Sequence, residues 1–177
     1  MMVGTSAGPE LEAVREAMRG GAAARDRLFE QVYARLLRYH RKLSGGDPAL
    51  AEELAQETMV RVLRSFGQLR DPDRFIPWVF RIATNAWRDH RRRKTEAVPA
   101  EPEVRDAAAE RDDLSRRVLG LLEKLPEPYR SALTLRYLED LDYDAMSEIL
   151  DVSPVTLRSH VARGRQMIRR QLEDLNP

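Results

Sequence analysis

The 177 residues contain no cysteine, which excludes a disulfide framework, a thiolate metal site and a cysteine nucleophile, and makes an intracellular, cytoplasmic setting the expectation. Histidine is nearly as scarce. His40, His90 and His160 are scattered with no metal-ligand spacing between them, so no metal site is expected. No glycine-rich phosphate loop follows a strand, and Ser6, Ser44, Ser65, Ser131 and Ser147 lack an activating context. Catalysis and a bound cofactor are therefore not expected. No apolar run approaches the roughly 18 residues needed to cross a bilayer, and Met1–Glu10 lacks the basic start and apolar stretch of an export signal. Neither export nor membrane insertion by its own sequence is expected. Net charge is also missing, with 30 basic against 29 acidic residues giving only +1, so a nucleic-acid role would require charge segregated along the chain.

What the chain does have is hydrophobic residues at 42% and charged residues at 33%, enough to bury a core. Its length suits one ordinary domain or two small ones. Helical periodicity runs throughout, and no alternating stretch is bounded by hairpin turns, which predicts an all-α fold. Leu28, Phe29, Val32, Leu36 and Leu37 form the stripe of a helix from Arg25 to about Leu43, ended by Ser44-Gly45-Gly46. Asp47 as cap and Pro48 at the first position open a second helix to about Ser65, carrying Leu50, Leu54, Val62 and Leu63. Gln68–Arg74 reads as a loop. A third helix buries Phe75, Trp78, Val79, Ile82, Ala83 and Ala86 and ends near Arg93, with Pro77 in its first turn.

Past Lys94 the periodicity stops, and two prolines, several alanines and an acidic excess mark residues 95–110 as a linker. The predicted organisation is thus an N-terminal extension at 1–24 without interpretable pattern, a helical domain at 25–94, the flexible linker, and a second helical domain at 111–177. In the second domain a helix reaches about Lys124, and another after Pro126-Glu127-Pro128 carries Tyr129, Ala132, Leu133, Leu135 and Tyr137 or Leu138. Residues 142–172 then read as short helix, tight turn and longer helix, capped by Asp142 and Ser153, which is helix-turn-helix spacing. Ala145, Ile149, Val152, Leu157 and Val161 should face inward. Ser153, Val155, Thr156, Arg158, Ser159 and Arg163 would project from the start of the second helix, able to touch thymine methyls, base edges and phosphates.

The local charge supports that reading. Glu139 to Asp151 holds six acids and no base, whereas Val152 to Leu172 holds five arginines and no acid. Arg88, Arg91, Arg92, Arg93 and Lys94 oppose only Asp89 at the end of the third helix. A merely solvated face would mix the signs, so two segregated basic patches suggest contact with a duplex at two places. Arg81, Asn85, Arg88 or Asp89, and Arg92 align at spacings of three and four on one face of the third helix, while Glu53, Gln56 and Glu57 group their polar ends opposite Leu54.

In three blocks the chain resembles a bacterial sigma factor of the small extracytoplasmic-function group, within the sigma-70 family. Ala51-Glu52-Glu53-Leu54-Ala55-Gln56-Glu57-Thr58 is similar to the family motif that docks on the clamp helices of core RNA polymerase, which implies polymerase binding by Glu53, Leu54, Gln56 and Glu57. Phe75 to Asp89 resembles the helix that recognises and opens the minus-10 promoter element. The resemblance implies roles for Arg81, Asn85, Arg88 and Arg92 there, and for Arg70, Asp71 and Arg74 in a loop that captures a flipped-out base. Leu125 through the helix-turn-helix resembles the domain that reads the minus-35 element, through the six residues from Ser153 to Arg163 named above. His160 and Asp151 depart from the basic residue and glycine usual in that domain. The implied partners are core RNA polymerase, promoter DNA and an anti-sigma factor.

Two other classes fit the sequence less well. A DNA-binding regulator independent of polymerase would use the helix-turn-helix but would have no need for Glu53, Gln56 and Glu57 beside a basic, asparagine-containing face. A helical enzyme would need the catalytic groupings found missing above.

Overall fold

The computed structural model describes residues 11–96 and 120–174. Among them there are helices and turns and no strand. Four helices make the first half: α1 (Leu11–Met18), α2 (Ala22–Leu43), α3 (Pro48–Ser65) and α4 (Phe75–Glu96). Local chemistry sets their ends. Asp47 accepts hydrogen bonds from the amides of Ala49 and Leu50 at 3.0 and 3.1 Å, satisfying two donors that the first turn of α3 cannot pair internally. The span predicted as a loop before α4, Gln68–Arg74, starts at the end of one short 3-10 turn, Phe66–Gln68, and closes with another, Pro72–Arg74.

The stretch that carried no interpretable pattern includes α1. Val14 and Ala17 are buried in the same core as α2, so two small apolar residues on an eight-residue helix suffice once α2 offers a surface. That signal is too short for periodicity to register. The core itself is aromatic at its centre. Phe66 stands edge-on to both Phe29 and Phe75, and Tyr39, fully buried, is edge-on to Phe80 and shares a 2.8 Å hydrogen bond with the Thr84 hydroxyl.

The predicted linker at 95–110 lies outside the described residues apart from its first two, which extend α4 to Glu96. Of the helix expected to reach Lys124, residues 120–123 are described and helical. Then come α5 (Glu127–Leu133), continued by a π-turn through Thr134–Leu138, α6 (Tyr143–Leu150) and α7 (Pro154–Asp174). Tyr137 or Leu138 is expected on the apolar stripe; both are exposed, because the wider π-turn rotates them off the face that buries Leu133 and Leu135. Helices α5 and α7 pack closely at Gly164, where a Cβ would lie 2.9 Å from Leu133 Cδ1. Between α6 and α7, Asp151 adopts φ 56° and ψ 46°, the left-handed conformation that the turn demands and aspartate tolerates.

The two halves are in contact. Helix α6 lies against α4, and the carboxylate of Glu139 receives Arg35 of α2 at 2.9 and 3.0 Å, with side chains only 4% and 10% exposed. Arg130 of α5 donates to the Leu43 carbonyl at the C-terminus of α2, 2.7 Å away.

Candidate nucleic-acid interface

On α3 the expected polar cluster splits. Glu53 and Gln56 are exposed, Gln56 bonding back to Glu52 at 3.4 Å. Glu57 is half-buried and held by two arginines, Arg61 one turn on and Arg93 of α4 at 3.7 Å. Leu54 corrects the expectation of a direct partner contact: it is fully buried and anchors α3 to the core. Sequence reasoning missed Val60 and Leu63, both exposed and apolar, which continue the Glu53–Gln56 row at spacings of four and three. Their exposure was not legible because an apolar residue on a helix reads as core until neighbouring helices are placed.

On α4, Arg81, Asn85 and Arg92 are exposed along one face. Arg88 is turned aside and donates to the Leu150 carbonyl at 3.0 Å. Asp89 sits between Arg61 and Arg92, each 3.6 Å away, so it restrains part of the basic cluster. Beside this face Gln68, Leu69, Arg70, Asp71, Arg74, Pro77, Trp78 and Arg81, with Glu148 of α6, line an open cavity of about 320 Å³, a volume that suits a planar ring the size of a nucleobase. The 3-10 turn shapes it, with Asp71 capping the amide of Asp73 at 3.0 Å. Trp78, expected in the core, is half-buried and lines this cavity, offering a stacking edge beside Phe75. Trp87 is buried, and stacks on His90 with Arg91 over its ring.

The helix-turn-helix has the expected inward residues Ile149, Leu157 and Val161 buried, with Met146 and Leu150 joining them and Ala145 and Val152 half-covered. Asp142 caps α6 through the Ala145 amide at 2.7 Å. Ser153 serves α7 as its cap, accepting from the Thr156 amide at 3.2 Å and sharing a 2.9 Å bond with its hydroxyl, so both hydroxyls are already engaged at the helix start. Val155 is 73% exposed, the most open large apolar side chain described. Arg158 and Arg163 are exposed and Ser159 half-exposed. Arg158 lies over the Tyr143 ring, 5.0 Å from its centroid, and Arg136 approaches the same ring at 5.7 Å. His160, where a basic residue was the expectation, packs edge-on against Tyr129. An apolar probe flanked by arginines at the first turns of a projecting helix is the arrangement that reads base edges in a major groove.

Comparison with known proteins decides what these faces belong to. Residues 28–96 match the model of sigma-70 region 2, and residues 115–168 match that of sigma-70 region 4. The chain belongs to the sigma-70 family, in its extracytoplasmic-function group. It is an alternative sigma factor, a DNA-binding protein that directs RNA polymerase in initiating transcription. The RNA polymerase sigma-H factor of Pseudomonas aeruginosa is 30% identical over 79% of this chain and 85% of its own length. The RNA polymerase sigma factor CarQ of Myxococcus xanthus is 34% identical over 72% of this chain and 77% of its own. Among solved structures, the sigma factor RpoE from Bartonella quintana, in complex with the anti-sigma factor NepR, has the same fold with a TM-score of 0.71. It is 21% identical, over 84% of this chain and 96% of that one. The described helices include none long and apolar enough to cross a membrane.

Proposed function

We propose that this sigma factor docks on core RNA polymerase through the exposed row Glu53, Gln56, Val60 and Leu63, with Glu57 held in reserve by Arg61 and Arg93. It reads the minus-10 element with Arg81, Asn85, Arg88 and Arg92, and takes a flipped base into the cavity bounded by Arg70, Asp71 and Arg74. The minus-35 element is read by Val155, Arg158, Ser159 and Arg163, with Ser153 and Thr156 presenting the amino end of α7 to a phosphate. It carries out no covalent chemistry, acts in the cytoplasm, and is held inactive by an anti-sigma factor. The domains that do this are 25–94 and 111–177. One observation carries the reading: two separate basic reading faces and an acidic-apolar docking row occur on one chain, and a regulator independent of polymerase needs no docking row.

The test is competition with a labelled housekeeping sigma factor for bacterial core RNA polymerase. Wild-type chain should displace the label, and Glu53→Lys should do so at least tenfold less well. Glu53 is the cleaner probe because reversing Glu57 also frees Arg93. Folded chain that never displaces the label would return the protein to the class of polymerase-independent regulators.

A further inference from the structure

Helix α1 precedes the residues that match sigma-70 region 2, which begin at Leu28. It packs on α2 and also against the 3-10 turn Pro72–Arg74, which contributes Arg74 to the wall of the 320 Å³ cavity beside α4. Behind that loop, the end of α1 and the facing sides of α2 and α3 leave a second open cavity of about 520 Å³, walled in part by Met18, Phe29, Phe66 and Leu69. Leu69 lines both cavities, so one side chain partitions them. Residues 69–71 belong to no helix, and the loop is pinned at its ends. The Leu69 amide donates to the Phe66 carbonyl at 3.1 Å, and Asp71 caps the second turn through the Asp73 amide at 3.0 Å. Between those ends, the depth at which Arg70 and Asp71 stand is set by where Leu69 packs. The opposite wall is held more firmly. Phe66 stands edge-on to Phe29 and Phe75, with centroids 5.1 and 6.0 Å away, and the fully buried Phe75 lies 6.2 Å from Trp78. Trp78 is thus fixed through the core, whereas Leu69 has open space on its α1 side.

We propose that α1 is a brace for base capture and Leu69 its positioning residue. Val14 and Ala17 seat α1 on the core, α1 backs the turn Pro72–Arg74, and Leu69 keys the loop into the groove beneath α1. Together they set the distance between Arg70, Asp71 and Arg74 on one side of the smaller cavity and Trp78 on the other. The proposal rests on the assignment of that cavity to a flipped base. A site that grips a planar ring loses its hold when its walls drift by about 1 Å. Loss of the Leu69 isobutyl group joins the two cavities and loosens the loop, while the arginines of α4 stay where they are. Val14 lines neither cavity, so a change there reaches the base only through α1.

Three full-length variants test this: Leu69→Ala, the volume-conserving Leu69→Met, and Val14→Ala. Each is checked for wild-type far-UV circular dichroism, with the near-isosteric Val14→Thr standing in for Val14→Ala should the latter fold poorly. Two fluorescein-labelled single strands of about 12 nucleotides are bound at about 0.05 M salt, one a random-sequence pool and one fully abasic. The ratio of their dissociation constants, read by anisotropy, isolates what the bases add to phosphate binding. In a Trp87→Phe background Trp78 is the only tryptophan, and its quenching by the random pool reports a base in the cavity. Wild type is expected to bind the random pool about tenfold more tightly than the abasic strand, with Trp78 quenched. Leu69→Ala and Val14→Ala should each lower that preference to about threefold or less and weaken the quenching, with the abasic strand bound as before. Leu69→Met should restore both readings. A preference that holds in the α1 variant would overturn the brace and leave Leu69 as a wall residue only, and equal losses on both strands would overturn it as general loosening. If wild type itself shows neither preference nor quenching, the assignment of the cavity to a base falls, and the brace falls with it.

Discussion

His40 shows how one hydrogen decides a residue's behaviour. The Thr58 hydroxyl donates to the Leu54 carbonyl at 2.7 Å, so its single proton is used, and the His40 Nε2 at 3.1 Å must donate to it. Nδ1 is then a buried lone pair with no partner, and a proton placed there would be a charge without an acceptor in an apolar core. Burial accordingly pulls the imidazole down to about 3. Because the unfolded chain takes up that proton near pH 6.5 and the folded chain does not, the stability contributed by neutral His40 is complete above that pH. It is lost as pH falls toward 3. Stability measured by urea unfolding at pH 5 is expected to be about 2 kcal/mol below that at pH 7, a difference that His40→Gln should remove. Arg158 makes the complementary case at the surface. On the proposed assignment of Arg158 to the minus-35 element, its stacking over Tyr143 holds it ready for DNA, so Tyr143→Ala should weaken binding of a minus-35 duplex about threefold while Tyr143→Phe should not, read by anisotropy. Neither relation is visible in sequence, where His40 and Thr58 are eighteen positions apart and Tyr143 reads only as a helix's apolar residue.

Helix ends were the most legible elements, because a cap and the amides it satisfies lie within three residues of each other. Asp47, Asp142 and Ser153 cap the helices that their positions predict. Asp142→Ala should cost about 1 kcal/mol in thermal unfolding, by orphaning the Ala145 amide. Asp151 holds the left-handed turn between α6 and α7 at a strain that glycine would not feel. Asp151→Gly is expected to raise stability by about 0.5 kcal/mol, and a lowered melting temperature would show that the aspartate side chain compensates. Legibility failed where an element depends on a distant surface. Helix α1 packs on α2 and the π-turn against α2 and α6, and both lack a local signature.

At the scale of the molecule, charge segregation acquires a second meaning. The acids before α7 set off its arginines, and they also meet the other half through Arg35 and Arg74. Burial pushes the Glu139 carboxyl above its ordinary range, and the Arg35 charge opposes that rise, so the pair joins the halves at a real desolvation cost. Arg35→Ala, which strands Glu139, should destabilise the docked arrangement by about 3 kcal/mol and split one urea transition into two, followed by tryptophan fluorescence and circular dichroism together.

The amino-acid order alone determined the all-α class, the caps, the helix-turn-helix and the three blocks that carry the family likeness, because each depends on residues within a few helical turns. Tertiary structure alone decided that Leu54 is core and Val60 exposed, that Trp78 lines a cavity, and that Glu139 lies on Arg35. Those outcomes depend on which surfaces meet in space, and Arg35 and Glu139 are 104 positions apart, a distance over which periodicity and local propensity carry no information.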